Sequence, residues 1–84
     1  MTFEEQAVRA FENLRPVVEA AGAKMSDVAK VTVYLNAWSH IHELNRIYPR
    51  FFPEPFPART PVRMETPLGE ILVDAVAILP EEEQ

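Results

Sequence analysis

Cysteine is absent from this sequence, which excludes disulfide cross-links and thiolate metal sites as sources of stability. Glycine is scarce. The chain has two, Gly22 and Gly69, so no Gly-rich loop is available to cradle a phosphate. Positive charge is in deficit: eight Lys and Arg stand against 13 Asp and Glu, for a net charge of −5. The cations are spread along the chain, whereas a nucleic-acid surface needs them concentrated. A nucleic-acid partner is therefore not expected. No apolar run is long enough to cross a bilayer, and no signal-peptide pattern is visible. The expectation is a cytoplasmic protein without a membrane partner. Internal repeats and low-complexity segments are also missing.

What is present is a dense apolar composition, 48% of the chain, too high for disorder. Its 84 residues make a single domain over 1–84. A chain this short buries only about 60–65% of its unfolded surface, so its own core is marginal. Association with copies of itself is the remaining common source of stability.

Thr2-Phe3-Glu4-Glu5 reads as a capping box. Phe3, Ala7, Phe11, Leu14, Val18 and Ala21 follow at helical spacing as one apolar stripe, and Gly22 is the natural residue just past the end. Pro16 lies inside that pattern and predicts a local bend rather than a break. Ser26-Asp27 starts a short turn. From Ala29 to Leu35 the pattern alternates, with Val31, Val33 and Leu35 on one face and Lys30, Thr32 and Tyr34 on the other, as in a strand with one face on the core. Asn36 or Ser39 is expected to cap a second helix carrying Trp38, Ile41, Leu44 and Tyr48 on one side. Pro49 disfavours helical geometry at Tyr48, so the helix ends or kinks there. Pro53, Pro55, Pro57 and Pro61 predict a stiff, extended lead-in.

That lead-in delivers Pro57-Ala58-Arg59-Thr60-Pro61. Val62 and Met64 then alternate with Arg63 and Glu65 at strand period. Thr66-Pro67-Leu68-Gly69 suits a type I turn, and Ile71 to Leu79 is apolar except for Asp74. The last two strands read as a β-hairpin. Since the final strand is apolar on both sides, both faces are expected to be covered, and helices can cover only one. The other should meet another chain.

Pro57-Ala58-Arg59-Thr60 followed by Val73-Asp74-Ala75-Val76-Ala77-Ile78 resembles the C-terminal signature of the RidA/YjgF family. These are small trimeric enamine and imine deaminases, also described as endoribonuclease L-PSP. Three further blocks resemble the family in the family's order: Glu19 to Ala23, Val31 to Leu35, and Leu44 to Phe52. The resemblance covers essentially the whole chain, but not the whole family, whose usual member has β-strands ahead of the first helix. It implies a chorismate-mutase-like α+β fold, a mixed sheet with two helices on one face, here lacking the N-terminal strands. An additional open sheet edge should result. It also implies a homo-oligomer, expected to be a trimer, with ligand clefts between subunits.

The candidate residues follow. Arg59 has a guanidinium fork that matches a carboxylate through two parallel hydrogen bonds, and the resemblance assigns its counterpart to the substrate carboxylate. The alternative is a structural ion pair with Asp74 or Glu65. For the acid on the last strand that positions water in the family, two registers compete. Counting from Arg59 without a gap selects Asp74; aligning the closing block selects Leu72, after a deletion in the turn. Thr60 and Pro61 belong to the same substrate-binding motif, Pro61 keeping its carbonyl but lacking an N–H. Tyr34 either reaches a cleft or sits at its edge. Asn45 resembles a family residue with a structural role through backbone hydrogen bonds. His40 and His42, two apart on a helix, point in different directions and read as solvated, with no metal site. Glu81-Glu82-Glu83 reads as a solvated tail. The expected chemistry is hydrolysis of reactive imines derived from amino acids, with no cofactor. A non-catalytic oligomer that binds small carboxylates is the alternative, and ribonuclease activity ranks last.

Overall fold

The computed structural model describes residues 1–66 and 69–79. Helix α1, Phe3–Ala20, starts where Thr2 Oγ1 accepts a hydrogen bond from the Glu5 amide at 3.1 Å, which satisfies one of the orphan donors of the first turn. It runs unbroken through Pro16. It ends in a Schellman motif: the Gly22 amide donates to the Glu19 carbonyl and the Ala23 amide to the Val18 carbonyl, at 3.0 and 3.1 Å. Gly22 sits at φ +91°, where a side chain would be strained. The stripe is buried at Phe3, Ala7, Phe11 and Val18 and half-buried at Leu14. Ala21 departs from it, exposed, because the helix ends one residue earlier.

A single 3₁₀ turn, Met25–Asp27, leads into strand β1, Val28–Leu35. Val31, Val33 and Leu35 are 0% exposed, so the alternation in the sequence marks the core face. After β1 a 3₁₀ turn at Trp38–His40 passes directly into helix α2, Ile41–Ile47, and a second 3₁₀ turn, Tyr48–Arg50, closes it with Pro49 in its first turn. Neither Asn36 nor Ser39 caps α2. The residue ahead of it is His40, which makes no side-chain cap bond, because the preceding turn already leads the chain into the helix. Trp38 is exposed rather than inward: it lies on the tighter turn, where helical spacing does not carry the apolar face back to it.

The proline-rich lead-in also differs from expectation. The chain bends at Phe52, Glu54 and Pro55, and the Glu54–Pro55 peptide is cis. Proline favours turns as readily as extended structure, and this segment uses both.

Strands β2, Ala58–Arg63, and β3, Ile71–Ala77, do not form a hairpin. The sheet order is β2-β1-β3. β2 is parallel to β1 across the α2 crossover, with Val31 opposite Arg59. β3 is antiparallel to β1 on its other side, with Thr32 opposite Asp74. The physical reason lies in β1. Its buried face makes it the natural centre, and each later strand takes one of its two edges. Of the turn expected between them, Pro67 and Leu68 lie outside the described residues; the Thr66 hydroxyl donates to the Gly69 carbonyl. Glu81–Glu83 also lies outside them.

Both helices pack on one face, around Phe11, which contacts Tyr48, Phe51 and Phe52. This is the α+β arrangement expected. Among the described residues, β3 is covered on one side only. Ile71, Val73, Ala75 and Ala77 pack against the core, while Leu72 and Val76 remain 45% and 58% exposed on the open face. Among the described residues, no helix is long and apolar enough to cross a membrane.

Candidate functional site

Arg59 is opposite Val31, so it shares the helix-facing side of the sheet. Its Nη2 donates to Asn45 Oδ1 at 2.6 Å, and its guanidinium carbon lies 5.1 Å from the centre of the Tyr48 ring, within cation–π range. Tyr48 is itself buried, and its hydroxyl donates to the Pro57 carbonyl at 3.4 Å. Burial pushes its phenol pKa above the ordinary 10.0, and the nearby Arg59 charge opposes that. The strand start therefore presents a guanidinium held by an amide on one side and a ring beneath.

Neither Asp74 nor Glu65 pairs with Arg59. Among the described residues, no carboxylate lies within ion-pair distance of it. Two charges in contact would satisfy each other; here the donors not used by Asn45 remain available. They border an open groove of about 450 Å³ lined by Asn45, Tyr48, Pro49, Phe56, Pro57 and Arg59. That volume is in the range of small-molecule sites, roughly 300–1,000 Å³.

The other expected site residues lie elsewhere. Thr60 is exposed on the open face, in one row with Thr32 and Asp74. Tyr34 is one position further along that face, next to Val62 and Leu72. The Tyr34 hydroxyl donates to Asp74 Oδ2 at 3.1 Å. That bond, then the Asp74 charge, holds the Tyr34 pKa above 10.0. Pro61 is half-buried opposite Val33, on the Arg59 side. Both candidates for the position of the water-positioning acid, Asp74 and, with the acid then lost, Leu72, thus face away from Arg59 within one chain.

Two sequence readings need correction. Asn45 acts through its side chain, on Arg59, rather than through backbone bonds. His40 is not solvated: its ring stacks on Phe3 at 4.1 Å and 3°, and its Nε2 is 3.9 Å from Glu70. His42 is exposed as expected. Among the described residues, no three His, Cys, Asp or Glu side chains converge as a metal site. The residues that sequence reasoning did not place at the site are Asn45, Tyr48 and Phe56. The signal available was the i, i+3 spacing of Asn45 and Tyr48, which puts both on one helical side.

The sequence profile of the Endoribonuclease L-PSP family matches residues 1–78. A RutC family protein of Pyrococcus abyssi is 37% identical over 75 residues, covering 89% of this chain and 59% of that protein. A 2-iminobutanoate/2-iminopropanoate deaminase of Dermatophagoides farinae is 45% identical over 58 residues, covering 69% of this chain and 45% of the relative. The crystal structure of RidA from an Antarctic Psychrobacter species superposes with a TM-score of 0.86 at 34% identity, covering 92% of this chain and 65% of that one. The chain therefore spans less than two thirds of each of these relatives.

Proposed function

This chain belongs to the Endoribonuclease L-PSP family, the RidA/YjgF group, and from that premise we propose that it hydrolyses reactive enamines and imines derived from amino acids. The observation that carries this reading is Arg59: a guanidinium fixed by Asn45 and Tyr48, with no carboxylate partner among the described residues, at the edge of a groove of suitable size. The substrate carboxylate accepts from the remaining guanidinium N–H groups, a charge-assisted pair. The imine carbon is electrophilic, so the reaction calls for no cofactor. Water adds to that carbon, the C–N bond breaks, and the nitrogen leaves as ammonia, giving a 2-keto acid.

Water must also be oriented. Within one chain Asp74 is on the far face from Arg59. In this proposal the acid is supplied by a neighbouring copy of a homotrimer whose open sheet faces pack together, placing the site between subunits. Thr60 and Tyr34, on that open face beside Asp74, line the same cleft from the neighbour's side. Exposed Leu72, Val76 and Ile78 support such packing.

A second reading has an observation in its favour. Because no acid among the described residues accompanies Arg59 within one chain, this reading has the oligomer bind small carboxylates without turning them over. The ribonuclease named in the family description is disfavoured by the net charge of −5. The deciding assay generates 2-aminoacrylate from serine with a dehydratase and follows its decay to pyruvate. Acceleration by the protein supports the deaminase; an unchanged decay, for this and related imines, supports the binding oligomer.

A further inference from the structure

We infer that Tyr34 is a positioning residue for the proposed imine hydrolysis: its hydroxyl holds the Asp74 carboxylate so that the other carboxylate oxygen takes a proton from the attacking water. The inference rests on the reading of Asp74 as the acid that a neighbouring copy supplies, and adds how that copy presents it.

Tyr34 and Asp74 belong to one copy and to one face of the sheet, the open face, so the pair enters a shared cleft as a unit. Thr32 is opposite Asp74 in the β1–β3 ladder, and Leu72 is opposite Tyr34. Tyr34 therefore meets Asp74 on the diagonal, a span that an aromatic side chain can bridge. Its hydroxyl donates to Asp74 Oδ2 at 3.1 Å. A carboxylate accepts at both oxygens, and Oδ1 is left for water. Lys30 stands in the adjoining row of that face, opposite Val76. Among the described residues, no cation lies within ion-pair distance of Asp74, so no charge competes with the phenol for the carboxylate. The phenol pKa, held above 10.0 chiefly by this bond, keeps Tyr34 a donor at neutral pH.

An aspartate on a strand can turn about both side-chain torsions. Fixing one oxygen removes most of that freedom, and a general base acts only when it is aimed at the proton it removes. Within one chain the bond lies at the surface. Packing of the open faces withdraws water from it, and in that lower dielectric a hydrogen bond to a charged acceptor gains weight. Oδ1 then takes a proton from water as the water oxygen bonds to the imine carbon and the C=N electron pair moves to nitrogen. That proton goes to the nitrogen, and the hydroxyl proton follows as the C–N bond breaks and ammonia leaves.

The test uses the full chain, with 2-aminoacrylate generated from serine by a dehydratase and pyruvate release as the readout. Tyr34→Phe removes only the hydroxyl. It should lower kcat about tenfold, part of the ~10²–10⁴-fold that the base itself contributes. KM, 2-oxobutanoate affinity and the sedimentation coefficient should stay at the wild-type values. Tyr34→Phe combined with Asp74→Asn should be no slower than Asp74→Asn alone, because the hydroxyl acts only through the carboxylate. Tyr34→Phe as fast as wild type, a loss confined to KM, an equal loss in both backgrounds or dissociation of the oligomer would overturn the inference and leave Asp74 as the acid. Asp74→Asn as fast as wild type, or a wild type that does not accelerate the decay, would overturn the reading of Asp74 and this inference together.

Discussion

Arg59 and Asp74 project from opposite faces of one sheet, although only β1 separates their strands. A mechanism that uses both needs two copies of the chain. Asp74→Asn should then keep ligand binding and lower imine hydrolysis by ~10²–10⁴-fold, the usual scale of general-base assistance. Arg59→Ala, with its weakened substrate binding, should show little activity at low substrate concentration. If the site is shared, unfolding and refolding the two variants together should recover about a quarter of the wild-type rate, the share of randomly assembled sites that draw each residue from an intact copy. A mixture no more active than its parts would place Asp74 outside the mechanism.

The shared site presupposes the oligomer. Leu72 and Val76 are exposed neighbours of Tyr34 and Lys30 on the open face. Sedimentation of the wild type at micromolar concentration should show a trimer. Leu72→Glu, which places a charge on the proposed interface, should shift it to monomer. A wild-type monomer, fully folded, would contradict the assembly.

The Tyr34–Asp74 bond gives a pH signature. Asp74 accepts from the neutral phenol and repels the phenolate, so Tyr34 holds its proton above the ordinary 10.0. What the bond contributes to the fold is present below the unfolded value near 10 and is lost as pH rises through the raised folded value. The chain has two tyrosines, so Tyr48→Phe leaves Tyr34 as the one phenol seen by ultraviolet titration. In that background Asp74→Asn should lower the Tyr34 titration midpoint. An unmoved midpoint would mean that the bond does not hold in solution.

Phe11 is fully buried among Tyr48, Phe51 and Phe52. Phe11→Ala should cost ~3–5 kcal/mol, about all that a core this small supplies, whereas exposed Trp38→Ala should stay within ~0.5 kcal/mol. Urea denaturation followed by circular dichroism separates the two. Comparable losses would contradict the placement of the core.

The elements that the sequence announced are those decided locally. Thr2 and Gly22 mark the ends of α1 through hydrogen bonds to residues a few positions away. The Val31-Val33-Leu35 alternation needs only a period of two. The hairpin reading failed because strand neighbours are chosen across the whole chain: β2 and β3 are consecutive, yet both pair with β1. The site was legible in part. Arg59 stood out by its motif, but its hold on Asn45 depends on how α2 lies against β2, and nothing local to either residue specifies that. The same holds for His40, whose stacking partner Phe3 is 37 positions away in the sequence. Which faces Arg59 and Asp74 occupy followed from the register of β1, which no pattern in β2 or β3 reveals.

The claim on which the rest depends is that Arg59 holds a carboxylate. Titration calorimetry of 2-oxobutanoate against wild type and Arg59→Ala tests it directly, with thermal unfolding confirming that both are folded. The loss of one charge-assisted pair predicts an affinity lower by roughly 1.5–3 kcal/mol in the variant. Equal affinities for the two proteins would make Arg59 a structural residue paired with Asn45 and would contradict the account.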